Sequence, residues 1–190
     1  CGCPCNADEM PDHWWLRAKN RMWRNDGLDK SGEIIFTEVM IDPDWDGDGK
    51  PDQTRHGRGV VAGDYDNDGK IDFYVVNNGE ESYEDDSDRH GVLYHNDSSG
   101  NNNWLKVKLQ GTTSNRDAFG TKLKLTVGDT TQIREHVSGE GYFSSNAQEV
   151  HFGLGDATKI GSLTITWPSG KMQSLDNVTV NQTISLIEPQ

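Results

Sequence analysis

From Trp104 to the end of the chain, apolar and polar side chains alternate residue by residue, a period that suits a half-buried strand and not a helix. Trp104–Gln110 and Lys122–Val127 carry it most cleanly, and Gln148–Phe152, Leu163–Trp167 and Thr183–Ile187 continue it. Turn-forming residues lie between them: Gly128-Asp129, Gly139-Glu140-Gly141, Gly153-Leu154-Gly155 and Pro168-Ser169-Gly170. Short strands at this spacing predict an antiparallel β-sandwich or barrel over residues 104–190, the sandwich being the expected form, with a soft boundary at Asn101–Asn103. On that register Leu123, Leu125, Ile165 and Trp167 face the core and Lys124 faces solvent. The excess of Asp, Asn and Gly disfavours a helical bundle anywhere in the chain, so the expected class is all-β.

Residues 13–103 read differently. A helical start is conceivable near His13, with Trp15, Ala18 and Met22 on one face, but Asn20–Asn25 alternates as a strand does. Asn20–Asp26 recurs in pattern as Gly91–Asp97, and Trp14, Trp15 and Trp23 read as core packing. Two nonapeptides repeat more sharply, Asp44-Trp-Asp46-Gly-Asp48-Gly-Lys50-Pro-Asp52 and Asp64-Tyr-Asp66-Asn-Asp68-Gly-Lys70-Ile-Asp72. Each has Asp at its first, third, fifth and ninth positions and Gly at its sixth. Calcium wants six to eight hard oxygens, which alternating carboxylates in a tight loop supply, and the backbone carbonyl of Lys50 or Lys70 completes the ring. Gly49 and Gly69 permit the sharp bend. Neither loop ends like an EF-hand, because the twelfth position is Arg55 in one and Val75 in the other. The second lies between the strand-like Gly59–Gly63 and Ile71–Val76, so a strand–loop–strand site is expected, and about two calcium ions in all. The acidic run Glu80–Asp88 reads as a solvated loop.

The formal charge of −13 repels phosphate backbones, which excludes a general nucleic-acid binder. No run approaches the ~18 apolar residues of a membrane span. Residues 1–12 read as a tail that holds all the cysteines, Cys1, Cys3 and Cys5. Their odd number suits an intermolecular disulfide; a lipid anchor on Cys1 and an inert tail stay open, and a zinc site fits the spacing poorly. Three sequons occur, at Asn96, Asn177 and Asn181.

The stretch Gly59-Val-Val-Ala-Gly-Asp-Tyr-Asp-Asn-Asp-Gly-Lys-Ile-Asp-Phe-Tyr-Val-Val76 resembles the FG-GAP/VCBS repeat of integrin-like propeller blades. Residues from about 104 to 187 resemble an ASPIC/UnbV domain of the cartilage acidic protein-like kind, through Asn115-Arg-Asp117, Gly120, Arg134-Glu135, Gly139-Glu-Gly-Tyr142, His151-Phe-Gly-Leu-Gly155 and Trp167-Pro-Ser-Gly170. The resemblance implies an extracellular or cell-surface, calcium-binding, non-enzymatic protein. It makes Asp64, Asp66, Asp68, Asp72 and the Lys70 carbonyl calcium ligands, and Asp44, Asp46, Asp48 and Asp52 their counterparts. One departure is length, since a closed propeller needs several four-stranded blades and this chain has material for one or two. The expected architecture is therefore a partial propeller-like blade with Asp-rich calcium loops, followed by the sandwich.

Three function classes separate on these features. An enzyme is disfavoured, because no nucleophile elbow or zincin helix occurs and the clustered Asp residues suit calcium; His151 reads as structural. A carbohydrate- or protein-binding module would use aromatics beside the loops, such as Trp45 and Tyr65. A structural or adhesive subunit, joined to copies of itself and extending into a filament, follows from open strand edges and the N-terminal cysteines. The last is the expected function, with the binding module as alternative.

Overall fold

The computed structural model describes residues 21–40, 57–77 and 91–190; the N-terminal cysteines, the first aspartate loop and the acidic run lie outside them. Strands β1 (Arg21–Leu28), β2 (Ile34–Met40), β3 (Gly57–Gly63), β4 (Asp72–Asn77), β5 (Val92–Tyr94) and β6 (Asn103–Gln110) lead into the C-terminal half. That half adds β7 (Lys122–Val127), β8 (Thr130–Glu135), β9 (Val150–Gly155), β10 (Lys159–Thr166), β11 (Met172–Thr179) and β12 (Gln182–Ile187). No helix forms among the described residues, and the sheets close into neither barrel nor propeller. Two compact units result, Cys1–Gly59 with Val75–Val92 and Val60–Tyr74 with Leu93–Gln190.

In the first unit β1 and β2 form an antiparallel hairpin. Its turn is tied by Asp29, whose carboxylate accepts hydrogen bonds from the Ser31 and Glu33 amides and the Ser31 hydroxyl. The strand expected at Asn20–Asn25 is β1, and β2, which the sequence reading left out, is its partner. A further sheet has the order β3–β4–β5.

The second unit contains the expected sandwich. A four-stranded sheet, β11–β10–β7–β8, and a three-stranded sheet, β12–β6–β9, contribute to one hydrophobic core. Leu123, Leu125, Ile165 and Trp167 are buried in it and Lys124 is exposed, as the alternation requires. Leu123 stands opposite Ile165 and Leu125 opposite Leu163, so cross-strand pairs of branched side chains fill the layer. Leu105, Val107, Phe152 and Leu186 meet them from the other sheet.

One pairing departs from an antiparallel sandwich: β12 runs parallel to β6. Alternation specifies which face a side chain takes and is silent on strand direction. Direction is set here by tertiary bonds at both ends of β12. At its start the Asn181 amide donates to the Trp104 carbonyl, and the Trp104 amide donates to Asn181 Oδ1. At its end the Glu188 amide donates to the Gln110 carbonyl.

Glu188 is itself a latch. Its side chain is among the fully buried ones. Oε2 accepts the amides of Thr112, Thr113 and Ser114, and Oε1 accepts the hydroxyls of Ser114 and Ser169. Burial pushes this carboxyl up, but the hydrogen bonds from Ser169, Ser114 and Thr112 outweigh it and hold the group well below its ordinary 4.5. A depressed carboxyl contributes stability that is complete above its unfolded-state pKa and is lost as pH falls toward the folded value.

Two outcomes are expected. Leu125→Ala should cost about 2–5 kcal/mol in urea unfolding, whereas Lys124→Ala should stay within about 0.5 kcal/mol. Glu188→Gln should flatten the loss of stability on acidification below pH 4.5, the ordinary value for this group; unfolding curves with the same acid slope as the parent would discard the latch.

Candidate metal centre

The second aspartate loop joins β3 to β4 within residues Asp64–Ile71. Its turns are made by its own carboxylates accepting nearby amides, as short acidic side chains do outside regular structure. Asp64 Oδ2 accepts from the Gly69 amide (2.9 Å), Asp66 Oδ1 from Asp68 (3.2 Å), and Asp72 Oδ2 from Tyr65 (3.3 Å). Asn67 and Gly69 both take positive φ, 64° and 90°, conformations that Asn and Gly adopt most readily.

Folded this way, Asp64, Asp66 and Asp72 bring one carboxylate oxygen each to within 4.8 Å of the others. The three come from different parts of the loop: its first residue, a residue near its bend, and the first residue of β4. Asp72 is almost wholly buried and its Oδ1 accepts the Asn96 amide, which fixes its orientation. Asp68 stands outside the cluster. Its carboxylate pairs with Lys70 Nζ at 3.0 Å and accepts the Lys70 amide at 2.8 Å. The Lys70 amide, then the Lys70 side chain, hold the Asp68 carboxyl below the usual carboxylate range. Asp44, Asp46, Asp48, Lys50 and Asp52, like Cys1, Cys3 and Cys5, lie outside the described residues.

The loop rests on the outer face of β6 and β9. Lys106, which alternation assigns to solvent, is 5% exposed, because the loop covers it. Its ammonium lies 2.8 Å from Asp64 Oδ2 and 2.9 Å from Asn67 Oδ1, and sits over the Trp104 ring at 5.0 Å. Trp104 presses on the bend so closely that a Cβ at Gly69 would fall 1.9 Å from its Nε1. The His151 ring bonds to the Gly69 carbonyl through Nε2 at 2.9 Å, and burial pushes this imidazole down, favouring the neutral form. The structural role expected for His151 is thus the one it has here.

Lys106 and the open oxygen of Asp64 escaped the sequence reading. The Asp64 side chain is 1% exposed, and its Oδ1 has no hydrogen-bond partner. A buried carboxylate oxygen left bare is costly. The cluster of Asp64, Asp66 and Asp72 to which this residue belongs could hold a metal ion. The sequons differ as well. Asn96 and Asn181 use their side-chain amides in internal bonds, and Asn177 and Asn181 are both exposed.

Removing one partner of a buried ion pair leaves the other charged and unpaired, at a cost of about 3–5 kcal/mol. Lys106→Met should lose stability on that order, and a second change, Asp64→Asn, should recover much of it. A single variant as stable as the parent would show that the pair holds nothing together.

Residues 111–190 match the family model described as ASPIC and UnbV. The chain is 33% identical over 133 residues to cartilage acidic protein 1 of Homo sapiens, covering 70% of this chain and 19% of that protein. Cartilage acidic protein 1 of Mus musculus is 31% identical over 137 residues, with 70% and 20% covered. The matched stretch thus spans about a fifth of the length of these relatives. The C-terminal sandwich is accordingly similar to an ASPIC and UnbV domain, and the chain is distantly similar to cartilage acidic protein 1.

Proposed function

We propose that this chain is a non-enzymatic, extracellular calcium-binding structural protein that associates with copies of itself. The observation that carries the calcium reading is the gathering of one carboxylate oxygen each from Asp64, Asp66 and Asp72 within 4.8 Å, in a loop where the buried Oδ1 of Asp64 has no hydrogen-bond partner. Those three residues hold the ion; the FG-GAP/VCBS-like pattern adds the Lys70 carbonyl and Asp68, whose carboxylate would have to leave its pairing with Lys70 to join them. Asp44, Asp46, Asp48, Asp52 and the Lys50 carbonyl bind a second ion by the same pattern. An extracellular place is supported by similarity to relatives named for cartilage. Among the described residues, no helix is long and apolar enough to cross a membrane.

The non-enzymatic reading is supported by the way the polar groups are used. A cleft of about 380 Å³ is lined by Asp64, Lys106, Arg134, His136 and His151 among others. Lys106 is bound to Asp64 there, and His136 and His151 are bound to backbone carbonyls and pushed down by burial, so these three serve the packing of the loop and strands. Self-association draws on the order β3–β4–β5, in which β3 and β5 are outer strands, and on Cys1, Cys3 and Cys5 as crosslinks. Light scattering with and without reductant tests it, and a strict monomer in millimolar calcium under oxidising conditions would end it. The alternative, a calcium-dependent carbohydrate- or protein-binding module, is favoured by one observation: Tyr65 is 56% exposed within the loop. A glycan array separates the two.

At free calcium 100-fold above Kd, one site should stabilise the fold by about 2.7 kcal/mol. Asp66→Asn should remove much of that gain. A melting temperature indifferent to chelator and to added calcium would overturn the reading.

A further inference from the structure

We propose that Phe143 anchors a contact between two copies of this chain, each copy seating that ring in an apolar groove of the other. This rests on the self-association read above and names the surface that carries it. Gly141–Ser144 form a tight turn, closed by a bridge between its end residues and by the Ser144 amide on the Gly141 carbonyl at 3.5 Å. Phe143 takes the third position of that turn at φ 50°, a left-handed conformation that glycine and asparagine adopt readily and a bulky residue does not. Phe143 is nevertheless 90% exposed, and Tyr142, edge-on to it at 4.4 Å between centroids, is 63% exposed. The chain thus holds a strained aromatic residue that its own fold hardly covers. The base of the turn is held firmly. Ser145 Oγ donates to the Ser138 carbonyl at 2.8 Å, Asn146 Oδ1 accepts the Ala62 amide at 2.9 Å, and the Ala147 amide donates to the Ala62 carbonyl at 3.0 Å.

The groove adjoins the turn. It has a volume of about 400 Å³, and its apolar walls are Val61, Tyr65, Phe73, Tyr74, Leu93 and Ala147. Ser145 lines it just past Phe143, and a Cβ at Gly141 would lie 3.9 Å from the Val60 carbonyl. A ring and a groove side by side on one surface are self-complementary, so a twofold axis places each ring in the other copy's groove and the assembly closes as a pair. Charge favours this patch for that partner. Two chains of formal charge −13 repel, and a contact between them needs exposed side chains without charge. The charged residues of the groove wall, Asp64 and Asp72, have side chains only 1% exposed. The area is also sufficient. The exposed shares of Tyr65, Tyr74, Tyr142 and Phe143 come to roughly 400–600 Å² per copy, at the size of an aromatic side chain. Two copies together reach about the 1,000 Å² that a specific interface needs.

The test uses the full chain with its cysteines alkylated, in millimolar calcium, and reads the monomer–dimer equilibrium by sedimentation over a concentration series. Two variants break opposite halves of the contact: Phe143→Gly removes the ring, and Leu93→Glu puts a charge in the groove. Each should weaken association by about thirtyfold or more, as loss of an interface anchor does. Mixed in equal amounts they should associate again, because the mixed pair keeps one ring facing one intact groove. Phe143→Gly should also unfold in urea no earlier than the parent, since glycine accepts the positive φ. An earlier midpoint would show that the ring serves its own chain, and variants that fail to recover on mixing would show that it does not enter the groove; either result overturns the proposal. Association unchanged in both variants would do the same while leaving self-association standing through another surface. A parent that stays monomeric throughout the series would remove self-association itself, and this contact with it.

Discussion

The pairing of Lys106 with Asp64 is the interaction on which the arrangement of this unit turns. Two charges withdrawn from water are tolerable only when each has a partner and the remaining polar atoms are bonded. Lys106 meets the condition with Asp64, Asn67 and the Trp104 ring. Asp64 meets half of it, since Oδ2 serves both Lys106 and the Gly69 amide while Oδ1 serves nothing. The same pair that seats the loop on the sheet therefore leaves one buried oxygen of Asp64 without a partner.

The seat also explains why the bend is glycine. A positive φ alone would tolerate Asn, as position 67 does. Trp104 adds a steric demand, because its indole occupies the space where any Cβ at position 69 would lie. His151 then holds the Gly69 carbonyl from the next strand. Three side chains on the outer face of β6 and β9 thus grip one loop, and the sandwich serves as its platform.

At the far end of β6 the sandwich solves a different problem. A C-terminal strand that enters parallel to its neighbour has no hairpin to fix its register. Asn181 and Glu188 take that role at the two ends of β12. Five donors on Glu188 compensate for taking a carboxylate out of water and tie the Thr112–Ser114 loop and Ser169 to the strand. In the sequence this is one Glu near the terminus, among several exposed ones.

Much of this protein was legible before any coordinates. Alternation placed Leu123, Leu125, Ile165 and Trp167 inside, because a period of two ties each side chain to a face whatever the strand pairs with. The spacing of Asp64, Asp66, Asp68 and Asp72 marked an acidic loop, and three of its four carboxylates converge while that of Asp68 pairs with Lys70. What the alternation left open is the covering of Lys106 on the outer face and the direction of β12. Both depend on contacts remote in sequence: 42 residues separate Lys106 from Asp64, and 76 separate Thr112 from Glu188. His95 reaches Asp72 for the same reason, through the meeting of β4 and β5 in one sheet. Local pattern records the face each residue prefers, and only the folded chain decides which other segment covers that face, because that choice is made by packing and charge pairing between distant parts.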